Sequence, residues 1–344
     1  MTSIKIFFIS LIIDLHSLTN LNFLLYIIEF FGGPLFSKIL QSFKDFSKLQ
    51  NNDQFSGTIG KITIEKNIVK KKLHNEIKND LINSLIVFEK IIKYKKINIP
   101  FYFEEYYKLN LEQLDLNLEK EYSKKLTEIF KNIERIKIIN IFESKENYHL
   151  SEFIKGYSID KFLKMKQNIF FEKEIYILLY LSYFLMISNN FFHCDWHYGN
   201  FLIDLNENNE VILYILDTGM MGSLTSKNYQ KLKILLKTNL LKPEPINIIK
   251  FICNVNTNDN ANLKNFINKS KKLIKEFEEI NYQKVLINIF QISMENKIKV
   301  PIVIVYMFQS IIFLNNFSET LPKDILKYSK DLNIYDEIIK QINS

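Results

Sequence analysis

The sequence predicts an α+β fold in two parts, a sheet-bearing part followed by a longer helical one. Three observations predict it. An alternating apolar stretch broken by a turn at 55–75 reads as a β-hairpin. Helical periodicity follows, with Leu111, Leu114, Leu118, Tyr122 and Leu126 on one face of a helix over 108–132. Beyond Gly222 the chain has no glycine, and prolines punctuate an apolar, helix-forming tail. With 344 residues, 47% hydrophobic and 24% charged, the chain can bury a sizeable core and is too apolar for disorder.

The elements follow in order. The N-terminus is apolar from Ile4 to Ile13 and from Leu21 to Phe31, interrupted by Asp14, His16 and Asn20. Neither run has the roughly 20 residues that span a bilayer. No small-residue cleavage site marks a signal peptide. A helix packed on the domain or lying on a membrane surface is expected there. Gly57 and Gly60 precede the strand at 61–64, Glu65-Lys66-Asn67 turns, and 68–73 returns. Residues 76–95 and 108–132 are helical; 136–142 and 148–153 are strands. An apolar helix fills 171–190. Short strands at 201–203 and 211–216 flank an Asn-rich turn at 206–209. The run 300–314, interrupted by Pro301 and Gln309, reads as a buried helix. This divides the chain into an extension at 1–50, a sheet-bearing part at 51–155 and a helical part at 156–344.

Composition sharpens the reading. Only eight glycines are present, against roughly 24 at average usage, with one alanine, Ala261, and one arginine, Arg135. An AT-rich genome produces such a bias, so each surviving glycine marks a place where a Cβ is not tolerated. Two cysteines, Cys194 and Cys253, make no disulfide framework or cysteine metal site. The formal charge is +7. The lysines lie along the whole chain, and lysine reads as the default surface residue. A nucleic-acid partner is excluded, because one arginine supplies almost no bidentate recognition of base or phosphate.

The densest chemistry is His193-Cys194-Asp195-Trp196-His197-Tyr198-Gly199-Asn200, then Asp217-Thr218-Gly219 seventeen residues past Asn200. A loop carboxylate (Asp195), an amide five residues on (Asn200), and a strand-end carboxylate before a glycine (Asp217) are the layout of a phosphoryl-transfer site. The first carboxylate orients or deprotonates the acceptor. The other two side chains suit Mg²⁺, which takes few carboxylates alongside phosphate oxygens. His193 and His197 lack a third ligand for zinc; His193 reads as structural. Gly57, Thr58 and Gly60 stand where a nucleotide-covering loop would precede its hairpin. The return strand offers a lysine to the α/β-phosphates: Lys71 by the spacing of Val-Ala-Ile-Lys, with Lys70 and Lys72 open alternatives. Glu119 is its candidate helix partner. Glu152 stands where backbone between two lobes would meet adenine.

These residues resemble the UbiB/ADCK atypical kinase-like family, whose pattern is His-x-Asp-x-His-x-Gly-Asn followed by Asp-x-Gly. The family's Lys-x-Gly-Gln motif after a Gly-Pro corresponds to Gly33-Pro34 and Lys38-Ile39-Leu40-Gln41, with Leu40 in place of glycine. Its Glu-x-Asp corresponds to Gln113-Leu114-Asp115, followed by Glu119. Trp196 and Tyr198 stand where the family commonly has proline or small residues. The resemblance, over 33 to about 224, implies a protein-kinase-like two-lobed fold with an N-terminal helical extension and a helical C-terminal lobe. It implies ATP and Mg²⁺ as cofactors. It places Lys38 and Gln41 across the site, and implies a role in isoprenoid quinone or related lipid metabolism. The expected partners are ATP, a membrane lipid or quinone precursor, and a membrane biosynthetic complex, in an organelle or a bacterial-type cytoplasm. The alternatives are a nucleotide-binding pseudokinase scaffold and a small-molecule kinase of the aminoglycoside or choline type.

Overall fold

A computed structural model describes residues 59–166, 169–238, 245–256, 262–276 and 282–315, with 338 and 340. The expected N-terminal extension, with Lys38 and Gln41, and the loop residues Gly57 and Thr58 lie outside the described residues. The chain divides into two compact units. Of the described residues, the first holds those up to Asn98 with 110–117 and 142–153, and the second holds 99–109, 118–141 and those from Ile154 onward.

The first unit is built on a four-stranded sheet in the order β1-β2-β5-β4: β1 Gly60–Glu65, β2 Ile68–Leu73, β4 Ile141–Ser144 and β5 Tyr148–Glu152. Strands β1 and β2 form the expected hairpin, with Glu65 opposite Ile68. Its two turn residues, Lys66 and Asn67, have φ of 48° and 65°. Two left-handed residues are what a tight hairpin needs to match strand twist. At Gly60 a Cβ would meet the Lys72 carbonyl oxygen at 2.7 Å, so the strand crossing requires glycine. Helix α1 (Ile77–Tyr94) buries Leu81, Leu85 and Ile92 along one stripe.

The periodicity at 108–132 predicts one helix, and the structure has two: α2 (Phe103–Glu112) and α3 (Leu116–Phe130). Asp115 ends the first and caps the second, its Oδ1 accepting the Asn117 N–H at 3.0 Å. The buried face of α3 also differs from the leucine stripe. It runs Leu116, Glu119, Ser123, Leu126 and Phe130. Two polar residues on the buried side mask the apolar period. The single strand expected at 136–142 is likewise two, β3 (Ile136–Ile138) and β4, in different sheets.

The second unit carries a three-stranded sheet in the order β3-β8-β7, with β7 Phe201–Leu205 antiparallel and β3 parallel to β8 Val211–Ile215. Asn206 makes the turn between β7 and β8, its Oδ1 accepting N–H groups of Asn208 and Glu210. A two-stranded ribbon pairs β6 (Phe192–His193) with β9 (Met221–Gly222). Around these pack α4 (Ile159–Lys166), α5 (Ile169–Ser188), α6 (Ser226–Thr238), α7 (Pro245–Val255), α8 (Leu263–Glu276), α9 (Tyr282–Glu295) and α10 (Ile302–Asn315). Helix α5 is buried from Ile175 to Ser188 and is the spine of this unit, and α10 is the buried helix expected over 300–314. Among the described residues no helix is long and apolar enough to cross a membrane.

Candidate active site

The apolar helix α5 delivers the chain, through the left-handed Asn190, into β6 and the loop that follows. Asn190 clamps that entry to the far side of the motif: its Nδ2 donates to the Leu224 carbonyl and its Oδ1 accepts the Leu224 N–H, both at 2.9 Å. The apolar strand β8 delivers the other half of the site and ends two residues before Asp217.

His193 joins the halves. Its Nδ1 accepts the Asp195 N–H at 3.2 Å, so the proton sits on Nε2, which donates to the Asp217 carbonyl oxygen at 2.7 Å. Burial holds its pKa below the ordinary histidine value, in keeping with this neutral tautomer. The Cys194 N–H donates to the Met220 carbonyl at 2.8 Å and the Leu216 N–H to the Asn200 carbonyl at 2.9 Å. Asn200, buried, donates from Nδ2 to the Asp195 carbonyl at 2.8 Å. Asp195, Asn200 and Asp217 thus hang on one hydrogen-bonded frame within the second unit. His197 accepts the Gly199 N–H on Nδ1 and brings Nε2 within 3.7 Å of the Asp195 carboxylate. Trp196, the only tryptophan, packs against Tyr183, His193 and Phe201 and seats the loop from beneath.

The frame reaches Glu119. Thr218 Oγ1 donates to the Glu119 carbonyl at 3.0 Å, and Gly219 N–H donates to Asp217 Oδ1 at 2.9 Å. A Cβ on Gly219 would stand 3.1 Å from Asp217 Oδ1 and 3.5 Å from Glu119 Oε2. Glu119 is buried. A glycine therefore keeps open a small space bordered by the Asp217 and Glu119 carboxylates. The donor set fits magnesium: Asn200 commits its nitrogen to the Asp195 carbonyl and presents its oxygen, the atom a hard cation takes, and Asp217 adds a carboxylate. Among the described residues no three His, Cys, Asp or Glu side chains group as a metal cage.

The remaining expected site residues sit in the first unit. Lys71 faces the same way as the half-buried Val69 and Leu73, paired across the ladder with His149, whereas Lys70 and Lys72 are exposed. Lys70 lies over the Tyr148 ring, 4.6 Å from its centroid. Glu152 ends β5 opposite Ile68, and the Phe153 N–H bonds the Asn67 carbonyl. Gln113 is buried and donates to the Asn110 carbonyl at 2.8 Å. A cleft of about 460 Å³ lined by Lys137, Asn206, Glu207 and Tyr214 lies elsewhere in the second unit, with none of the motif residues on its walls.

Sequence reasoning missed Thr218, Asn190 and Arg135. Arg135 donates from Nε to the Val211 carbonyl at 2.9 Å and from its guanidinium to Glu174 on α5, fixing the start of β8 against the spine. Being the only arginine in the chain is the signal that could have found it.

The family model of the ABC1 atypical kinase-like domain matches residues 64–252, more than half of the chain. The chain belongs to the ABC1 atypical kinase-like family. The fold is therefore α+β and kinase-like, as expected, and the matched stretch holds both halves of the motif. The chain is also similar to solved structures at 14% identity. One is Rv3197 from Mycobacterium tuberculosis in complex with erythromycin, with 75% of this chain and 76% of that one covered and a TM-score of 0.43. Another is WbdD, a bifunctional kinase-methyltransferase, at a TM-score of 0.28 in two structures. The chain covers 45% and 43% of the length of those two WbdD chains and 72% and 70% of its own residues align. No curated protein matches the chain.

Proposed function

We propose that this chain binds ATP with Mg²⁺ and transfers or hydrolyses the γ-phosphate as an atypical kinase or ATPase, at a membrane, in support of isoprenoid quinone or related lipid metabolism. The observation that supports the nucleotide reading is the single frame carrying Asp195, Asn200 and Asp217 with Glu119 beside it. The Asp195 carboxylate, steadied by His197, orients the acceptor and takes its proton. The Asn200 oxygen and the Asp217 carboxylate hold the cation. Lys71 is assigned the α/β-phosphates and Glu119 the role of its acidic partner, while Gly57, Thr58 and Gly60 cover the nucleotide and backbone near Glu152 meets adenine. Lys38 and Gln41 are assigned to the approach of a protein substrate. Bound Mg²⁺ supplies charge neutralisation of the phosphate oxygens. The membrane part rests on the apolar N-terminus, the lysine surplus and the family's properties.

The test is Mg²⁺-dependent ATP binding by calorimetry, with ATPase turnover measured with and without anionic vesicles and a quinone-precursor mimic, on wild type and Asp217→Asn. The expected result is wild-type binding and turnover, and a drop of roughly 100-fold or more in the variant. A wild type that binds no Mg·ATP sinks the proposal. Binding with equally negligible turnover in both proteins makes the chain a pseudokinase scaffold instead.

A further inference from the structure

The formal charge of +7 is concentrated in one stretch. From 226 to 276 the sequence has eleven lysines against three carboxylates, and outside it acids exceed bases by one. Lysines do occur throughout the chain; the acids that neutralise them do not.

This stretch forms α6, α7 and α8 of the second unit, with α7 packed against both neighbours. Most of their lysines face outward at helical spacing, while Lys233 is buried and Lys231 half-buried. On α6 the exposed side runs Lys227, Gln230, Ile234 and Lys237, and on α7 it runs Lys250 and Asn254. Lys231 Nζ donates to the Asn254 carbonyl at 2.6 Å, which sets these two stripes side by side. On α8, Lys264, Lys271 and Lys275 share one exposed stripe. Desolvation and the neighbouring Lys227 hold the Lys231 ammonium below its ordinary pKa, so like charges are kept close here. Amid the α6 lysines Ile234 stands 66% exposed.

We propose that the outer side of α6–α8 is a docking surface for an anionic lipid bilayer, its lysines at the headgroups and Ile234 reaching into the interface. The inference deepens the membrane part of the proposed function and names the face that carries it. Lysines are point charges that suit a diffuse negative surface, each adding to attraction within a Debye length. An exposed aliphatic residue between them gains by entering the acyl boundary. Nucleic acid fits less well, because the chain's one guanidinium is engaged by Glu174 and Val211.

The experiment is co-flotation of the full chain with phosphatidylcholine vesicles, plain or with about a third phosphatidylglycerol, at about 0.05 M and 0.5 M salt. Wild type is compared with the face variant Lys227→Gln/Lys237→Gln/Lys271→Gln/Lys275→Gln and with an equal-charge control, Lys78→Gln/Lys90→Gln/Lys96→Gln/Lys124→Gln. The expected result is salt-sensitive wild-type binding to anionic vesicles only, weakened by roughly 100-fold in the face variant and little in the control. Ile234→Ser weakens binding at both salt levels. Melting temperatures no lower than that of wild type show that the variants fold. If the face variant binds like wild type, or the control loses as much, the face is wrong while membrane association stands. If wild type ignores anionic vesicles, both fall. Tighter binding to duplex DNA or polyglutamate than to vesicles overturns the lipid assignment.

Discussion

His193 has both ring nitrogens engaged, one by the backbone N–H of Asp195 and one by the backbone carbonyl of Asp217. No other side chain can accept and donate at this span with the same rigidity. His193→Phe keeps the contact with Trp196 and removes both bonds. By analogy with outer-shell partners of metal ligands, Mg²⁺ affinity in the presence of nucleotide should fall by roughly 10–100-fold, read by magnesium titration of ATP binding. A variant that melts lower yet binds magnesium as tightly as wild type would refute this role. Asp195, Asn200 and Asp217 were legible in the sequence because the chemistry restricts residue type and spacing. Thr218 was not, since its oxygen matters only through Glu119, 99 residues away in the chain.

At the scale of elements, the burial of α3 explains what periodicity could and could not find. Its inward stripe includes Glu119 beside the site and Ser123, whose hydroxyl donates to the Ile139 carbonyl. A helix that serves a site on its buried face loses its clean apolar stripe. The hairpin was legible from its alternation about a turn, and the spine α5 and the strand β8 from their apolar runs. Arg135 and Glu174, with side chains 14% and 13% exposed, couple β8 to that spine. Burial pushes the Glu174 carboxyl above its ordinary value, against the pull of Arg135. Between the ordinary carboxylate pKa and the raised one, the unfolded chain has released its proton and the folded chain has not. Stability therefore falls as pH rises through that window. Glu174→Gln should flatten this dependence in urea melts taken from about pH 4 to pH 7; an identical slope in the variant would rule out the assignment.

Across the whole molecule, charge is the property the sequence hid in plain view. Lysines occur everywhere along the chain, and only the distribution of acids sets residues 226–276 apart, with three carboxylates against eleven lysines. The positive stretch stores self-repulsion in the folded second unit, and salt screens it. The melting temperature should therefore rise between about 0.02 M and 0.2 M salt, and the four-lysine face variant should respond less. A melting temperature that falls with salt in the wild type would contradict this. The two units also differ in legibility. The sheet of the first was visible as alternation, while the β6–β9 ribbon of the second is too short to carry any pattern.

The engagement of Arg135 has a genetic consequence. In a chain whose codons drift toward A and T, an AGA arginine codon is one transition from AAA. A single G-to-A change in such a codon writes lysine. A lysine ammonium can reach the Val211 carbonyl or Glu174, but it has no planar fork with which to hold both. The base bias that gave this chain 44 lysines thus presses on an arginine whose two bonds lysine does not reproduce. Position 135 is where drift would first loosen the strand that leads to Asp217.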